Sequence, residues 1–248
     1  MELLNKDAFL ERPRCVLLDL DDTLYEYAPA HAAGMAAVQA YVTGELAVAQ
    51  ADFDGAYAVS REELKRRLGR TASSHSRLLY FQRTIERLGL ASQPAVALQM
   101  EQTYWSAFLG AAELFDNVKD FLDDLRIAGI PAAIVTDLTA QIQHRKLIFF
   151  GLHRLVEWVT TSEEVRHDKP SPAIFELALA KMGGVEGVIW MVGDNPHCDV
   201  KGARDAIGAK TLQKLHGDKS VSDTADEKPD ATFRDFDSLR KLLARLPG

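Results

Sequence analysis

Asp19, Asp21 and Asp22 stand within four residues of one another, at the end of the apolar run Val16-Leu17-Leu18. An unpaired buried carboxylate is costly to desolvate, so such a cluster is tolerable where a cation sits. Thr136 and Asp137 follow a second apolar run, Lys169 precedes a helix start, and Asp194 and Asp199 follow a further run. Taken singly, each has an ordinary reading as turn former, helix cap or solvated lysine. Taken together, carboxylates, a hydroxyl and a lysine at the ends of apolar runs describe a site.

The residue types suggest how that site divides its labour. Asp19 ends the apolar run and Asp21 lies in the turn beyond it, so the two carboxylates are expected to do different jobs. Asp19, ending the run, is placed to attack or to hold metal, and Asp21, in the turn beyond, to move a proton. Asp194 can complete an oxygen-rich Mg²⁺ site, and Asp199 can orient that shell. Thr23 and Asn195 adjoin these ligands and are expected to steady them. Lys169 would balance charge between Asp19 and a phosphoryl group, and Thr136 would hydrogen-bond a phosphate oxygen, with Asp137 beside it. Asp22 reads as a turn residue without a chemical role.

These side chains need elements to carry them. Apolar runs at Cys15 to Leu20, Ile130 to Val135, Val156 to Thr160 and Val188 to Val192 read as strands. Helical periods separate the later ones: Val118, Phe121, Leu122 and Leu125, with Asp116 as cap and Gly129 as close; Ile142, Leu147 and Phe150, stopping at Gly151; and Ile174, Leu177 and Ala178, opened by Ser171-Pro172. Leu239, Leu242, Leu243 and Leu246 mark a last helix, and His216 to Asp230 reads as a surface loop. Unbroken apolar strands alternating with helices imply an α/β fold, a Rossmann-like doubly wound parallel sheet that binds ligands beyond its carboxyl ends.

Between Glu26 and Ala112 no strand signal appears. Met35, Val38, Tyr41 and Val42, then Leu78, Phe81, Ile85 and Leu88, then Val96, Met100, Tyr104 and Phe108 mark helical faces, and a further helix covers Phe53 to Leu68. Residues 26–112 are therefore expected to form an inserted helical bundle, and residues 1–25 with 113–248 the catalytic core. His75, Arg77, Tyr80, Gln82, Arg83, Tyr104 and Trp105 are the insertion's polar or aromatic candidates for meeting a substrate. Tyr104 and Trp105 read better as packing, and Arg83 and Arg87 as a solvated face.

With 248 residues, 47% hydrophobic, the chain has material for a sizeable core. Its formal net charge of -7 argues against a general binder of nucleic acid or anionic membrane, though not against a small phosphorylated ligand. Cys15 and Cys198 form no metal-binding or disulfide spacing, and no apolar run reaches the ~18 residues of a membrane span. A cytoplasmic protein is the expectation.

The sequence resembles the haloacid dehalogenase superfamily of hydrolases. Asp19-Leu20-Asp21-Asp22-Thr23-Leu24 looks like its first motif, Ile134-Val135-Thr136 its second, Lys169-Pro170 its third, and Gly193-Asp194 through Asp199 its fourth. The resemblance implies a Mg²⁺-dependent phosphohydrolase acting on a small phosphorylated metabolite, with an α-helical cap inserted between the first two motifs. By that resemblance Asp19 attacks phosphorus, Asp21 protonates the leaving alcohol and then activates water, and Thr136 and Lys169 hold the phosphoryl group. Metal is held by the carboxylates of Asp19 and Asp194 and the backbone carbonyl of Asp21. The dehalogenase branch lacks an Asp two positions after the nucleophile, so Asp21 points to phosphate chemistry. Asp137 departs from the pattern, standing where many relatives carry Asn. A phosphomutase would share the same core. A receiver-like phosphoacceptor module fits less well, since its phosphoacceptor lies on a middle strand with no large helical insertion after it.

Overall fold

The helical periods between the first and second motifs become α1 (Tyr27–Glu45), α2 (Gln50–Leu68), α3 (Arg77–Arg87) and α4 (Pro94–Ala111) in a computed structural model that describes residues 1–247. Tyr27–Ala112 forms one compact unit, and Met1–Glu26 with the chain from Glu113 onward forms the other. In the helical unit α1 packs on α4, and the rings of Tyr27 and Phe108 meet at 5.3 Å, so the start of α1 lies beside the end of α4. Gly34 permits the close approach, because a Cβ there would lie 2.8 Å from the Tyr104 ring. Ser76 caps α3 by accepting the Leu79 N–H, and Pro94 opens α4. Tyr104 and Trp105 are buried, while Arg83 and Arg87 both pair with Glu63 across α2 and α3.

The second unit is a seven-stranded sheet: β1 (Glu2–Leu3), β2 (Cys15–Leu18), β3 (Ala132–Thr136), β4 (Trp158–Thr161), β5 (Ile189–Gly193), β6 (Lys210–Lys214) and β7 (Ala231–Phe233). Their order is β1-β7-β6-β5-β2-β3-β4, all parallel except β1, which runs antiparallel to β7. Six helices accompany them: α5 (Val118–Ile127), α6 (Ala140–Phe150), α7 (Ser162–Val165), α8 (Pro172–Lys181), α9 (Gly202–Ile207) and α10 (Phe236–Arg245). β2 is fully buried between β3 and β5, with Leu18 opposite Ile134 on one side and Val192 on the other. That register brings Asp19, Thr136 and Asp194 to one end of the sheet. Leu17, Val135 and Met191 seat the strands on Ile174, Phe175 and Ala178 of α8.

Several local expectations need correction. β2 stops at Leu18 rather than Leu20, because the chain turns away: Leu24 N–H bonds the Leu20 carbonyl at 3.0 Å, and Asp22 takes a left-handed φ of 63°. Asp116 does not cap α5; Asn117, at φ 63°, precedes the helix and makes no side-chain cap bond. Ser171 and Pro172 do open α8, without a capping hydrogen bond from the serine. β1, β6 and β7 were not foreseen, since β6 carries Lys210, Gln213 and Lys214 and the other two are very short. At the insertion point, Tyr25 bridges to Leu114, and the Phe115 N–H bonds the Leu24 carbonyl at 2.9 Å.

Candidate active site

Asp19 follows the last residue of β2 and is almost fully buried. Its Oδ1 accepts from Lys169 Nζ at 2.6 Å, and its Oδ2 from Thr23 Oγ at 2.9 Å. Lys169 also donates to Asp199 Oδ1 at 2.7 Å and to the Val135 carbonyl at 3.1 Å, so one buried ammonium ties the ends of β2 and β3 to the loop after β5. Thr23 lies 3.4 Å from Asp194 Oδ1, which places its hydroxyl between the two carboxylates. Asp199 Oδ2 accepts the Asn195 N–H at 3.0 Å, and the Asn195 side chain accepts from the N–H groups of His197 and Cys198. Gly193 makes this packing possible: a Cβ there would fall 2.4 Å from the Asp199 Cβ.

Asp21 lines the same cavity as Asp19. That cavity, about 150 Å³, is lined by Asp19, Asp21, Thr136, Asp137, Lys169, Asp194, Asn195, Cys198 and Asp199. Thr136 accepts from Gln143 Nε2 at 2.7 Å, and Asp137 Oδ1 accepts the Lys169 N–H at 2.9 Å. Asp137 is thus a strut for the lysine loop, and its negative charge faces Lys169.

Four partners were not foreseen. Lys146 of α6, with a side chain 0% exposed, donates to both oxygens of Asp21 at 2.7 and 2.8 Å, and the Tyr25 hydroxyl donates to the same carboxylate. Gln143, one turn earlier, holds Thr136. Both belong to the buried stripe of α6 with Ile142, Leu147 and Phe150. Two polar residues on an apolar helical stripe were the available signal. Lys219, in the polar loop after β6, pairs with Asp194 and, at 3.1 Å, with Asp22. A lysine in a hydrophilic loop gives no such signal. Asp22 therefore has a partner, although it lines no part of the cavity.

The electrostatics mark a site short of positive charge. Burial pushes Asp19 well above the ordinary carboxylate range, with Asp199 and Asp194 adding to the push and Lys169 opposing it. Burial and Asp199 likewise raise Asp194 to about 6 against the pull of Lys219, and burial raises Asp137 to about 6 against the pull of Lys169. Asp21 differs. Burial pushes it up too, but the charge of Lys146 and hydrogen bonds from Lys146, Tyr25 and Gln143 outweigh burial and leave it below its usual value. Asp19, Asp194 and Asp199 can each offer an oxygen within 4.8 Å of the others. An all-oxygen, electron-rich donor set with two carboxylates made hard to ionise fits a hard divalent cation.

The model of the haloacid dehalogenase-like hydrolases matches residues 13–206, and the chain belongs to that family. It is 39% identical over 238 residues to the ribulose-1,5-bisphosphate 5-phosphatase of Halopiger xanaduensis, covering 93% of this chain and 96% of that one. It is 30% identical to the glyceraldehyde 3-phosphate phosphatase of Methanopyrus kandleri, covering 93% and 95%. Among solved structures, a 2-haloacid dehalogenase from Pseudomonas syringae matches 95% of this chain and 100% of its own with a TM-score of 0.73 at 22% identity, a likeness of fold. The chain is an enzyme, a phosphoric monoester hydrolase of the haloacid dehalogenase type. Among the described residues no helix is long and apolar enough to cross a membrane.

Proposed function

We propose that the chain removes phosphate from a small sugar phosphate, of the ribulose bisphosphate or glyceraldehyde phosphate kind, through an aspartyl-phosphate on Asp19. The observation that carries this reading is the meeting of Asp19, Lys169, Thr136 and Asp194 in one cavity of about 150 Å³, a volume suited to a phosphoryl group rather than a whole sugar. The names of the two relatives supply the substrate class. Residues 26–112 are read as a cap and the remainder as the catalytic core. Two free cysteines, Cys15 and Cys198, suit a reducing, cytoplasmic setting.

Mg²⁺ would be held by the carboxylates of Asp19 and Asp194 and the backbone carbonyl of Asp21, with Asp199 and Asn195 steadying the loop. When bound, it supplies positive charge to the phosphoryl oxygens and to the crowded carboxylates. In the first half-reaction an Asp19 oxygen attacks phosphorus and the ester P–O bond breaks. The departing oxygen takes a proton from Asp21. Lys169 and Thr136 hold the phosphoryl oxygens while charge shifts. In the second half-reaction Asp21, now a carboxylate, takes a proton from water, which attacks the aspartyl-phosphate; Asp19 and inorganic phosphate are regenerated. The pair with Lys146 keeps Asp21 in the form needed for this second half, and the first half requires that the pair loosen and Asp21 carry a proton.

Hydrolysis of an aryl phosphate and of a panel of sugar phosphates, with Mg²⁺ and with chelator, tests the proposal. Asp19→Asn is expected to lose at least about 10³-fold in kcat. Equal rates in the two proteins would remove Asp19 as nucleophile, and an isomerised sugar phosphate in place of free phosphate would make the enzyme a mutase.

A further inference from the structure

Lys219 touches the site without a part in the reaction as derived above. It lies in the loop after β6, and its ammonium pairs with Asp194 Oδ2 and, at 3.1 Å, with Asp22 Oδ2. Asp194 Oδ1 faces the Thr23 hydroxyl at 3.4 Å, so both oxygens of this carboxylate are engaged. A second ammonium, that of Lys169, joins Asp19 to Asp199 and also bonds the Val135 carbonyl of β3. Between them the two lysines hold all three carboxylates whose oxygens come within 4.8 Å of one another. They differ in their surroundings. The Lys169 side chain is 4% exposed and fixed at the strand ends, whereas that of Lys219 is 31% exposed and open to water.

The loop is held by its backbone and leaves the lysine side chain room to move. Gln213 Nε2 of β6 donates to the Asp194 carbonyl at 3.1 Å and to the Ser220 carbonyl at 3.3 Å, and the Lys219 N–H bonds the His216 carbonyl at 3.0 Å. The residue after Lys219 is therefore tethered, through one side chain, to the backbone of Asp194 itself. Withdrawal of the ammonium needs only a change of rotamer, which is fast for a partly exposed side chain. Asp22 gives it a place to rest: this carboxylate stands outside the cavity lining, with His216 Nε2 3.5 Å from its Oδ1. A divalent cation on Asp194 would face the ammonium at short range, and like charges in partly buried surroundings repel strongly. Lys219 and such a cation thus compete for one carboxylate, while the pair with Asp22 is compatible with both.

We propose that Lys219 is a positioning residue that sets the divalent-cation affinity of the site: it holds Asp194 until a cation arrives, then keeps only its pair with Asp22. This rests on the reading of Asp194 as a Mg²⁺ ligand. The apparent affinity is lowered by the share of molecules in which Lys219 holds Asp194, so removing the ammonium strengthens binding.

Mg²⁺ alone, without substrate, is titrated calorimetrically into the full-length wild type, Lys219→Met, Lys219→Arg, Asp22→Asn and the double variant Asp22→Asn/Lys219→Met. Lys219→Met is expected to bind Mg²⁺ about fivefold or more tightly than wild type, and Lys219→Arg, which keeps the charge, to undo most of that gain. Asp22→Asn suits a left-handed position and removes the resting place. It should weaken binding several-fold where Lys219 is present and have little effect in the Lys219→Met background, whereas a plain loss of charge acts equally in both. Acetylation of Lys219 by acetic anhydride, followed by mass spectrometry on the wild type, needs no variant; Mg²⁺ should raise its rate as the ammonium leaves Asp194. A smaller gain or a loss of affinity in Lys219→Met, or a labelling rate that Mg²⁺ leaves alone, overturns the proposal. Equal effects of Asp22→Asn in the two backgrounds overturn the part given to Asp22. If Mg²⁺ binds wild type and Lys219→Met alike, this proposal falls and the metal reading stands; if it binds neither, both fall.

Discussion

Lys146 gives Asp21 a partner that the reaction must loosen and then use. Because the lysine holds Asp21 below its ordinary value, Asp21 stays ionised well into the acid range. Lys146→Met removes that hold and lets burial raise Asp21, so the acid limb of the kcat profile should move to higher pH by about one unit or more. Trapped aspartyl-phosphate should accumulate near pH 5, measurable by acid quench; superimposable profiles would show that Lys146 only fills space. The metal site has the opposite sign. Asp194 is raised to about 6 from 3.8, so the folded protein binds more protons than the unfolded chain across that window. Through this group, stability without metal falls as pH rises from about 4 to about 6, and the penalty is complete at pH 7.5. Mg²⁺ should therefore raise Tm more at pH 7.5 than at pH 5. At a hundredfold excess over Kd the gain is about 2.7 kcal/mol, or roughly 5–10 °C for a protein of this size. Asp194→Asn should abolish the difference.

At the scale of elements, the end of β5 is the least tolerant point. Gly193→Ala would drive a methyl into Asp199, whose Oδ1 holds Lys169. A loss of about 2 kcal/mol or more by urea unfolding is expected, together with a fall in kcat. The alternation of β2, β3, β4 and β5 with their helices was legible in the sequence because buried parallel strands are apolar on both faces. So was the turn beyond the strand that holds Asp21 and Asp22, although the residues could not say that Asp22 would be left-handed. β6 escaped because Lys210, Gln213 and Lys214 disguise a strand whose backbone is protected by β5 and β7. Lys146 and Gln143 escaped for a related reason, since periodicity weighs them as interruptions of an apolar stripe instead of as groups aimed at an acid. Lys219 depended on a loop path that no local pattern encodes.

For the whole molecule, the bridge between Tyr25 and Leu114 means that the insertion leaves and re-enters the sheet unit at adjacent points. Replacing residues 27–112 by a short Gly-Ser linker should leave a protein that folds, binds Mg²⁺ and hydrolyses an aryl phosphate. It should discriminate poorly among sugar phosphates. Circular dichroism, calorimetry and kinetics on matched esters check each part; failure to fold would show that the sheet unit depends on the helices. The same adjacency bears on the order of folding. β2 must find β3 across the whole insertion, and closing a disordered loop of that length costs about 4 kcal/mol of chain entropy. Within the helical unit α1 packs on α4, and the meeting of Tyr27 with Phe108 holds the two ends of the insertion together. A helical unit that forms early would thus turn a long-range search for β3 into a short one, and mutations that slow its formation should delay the sheet even where they touch no strand.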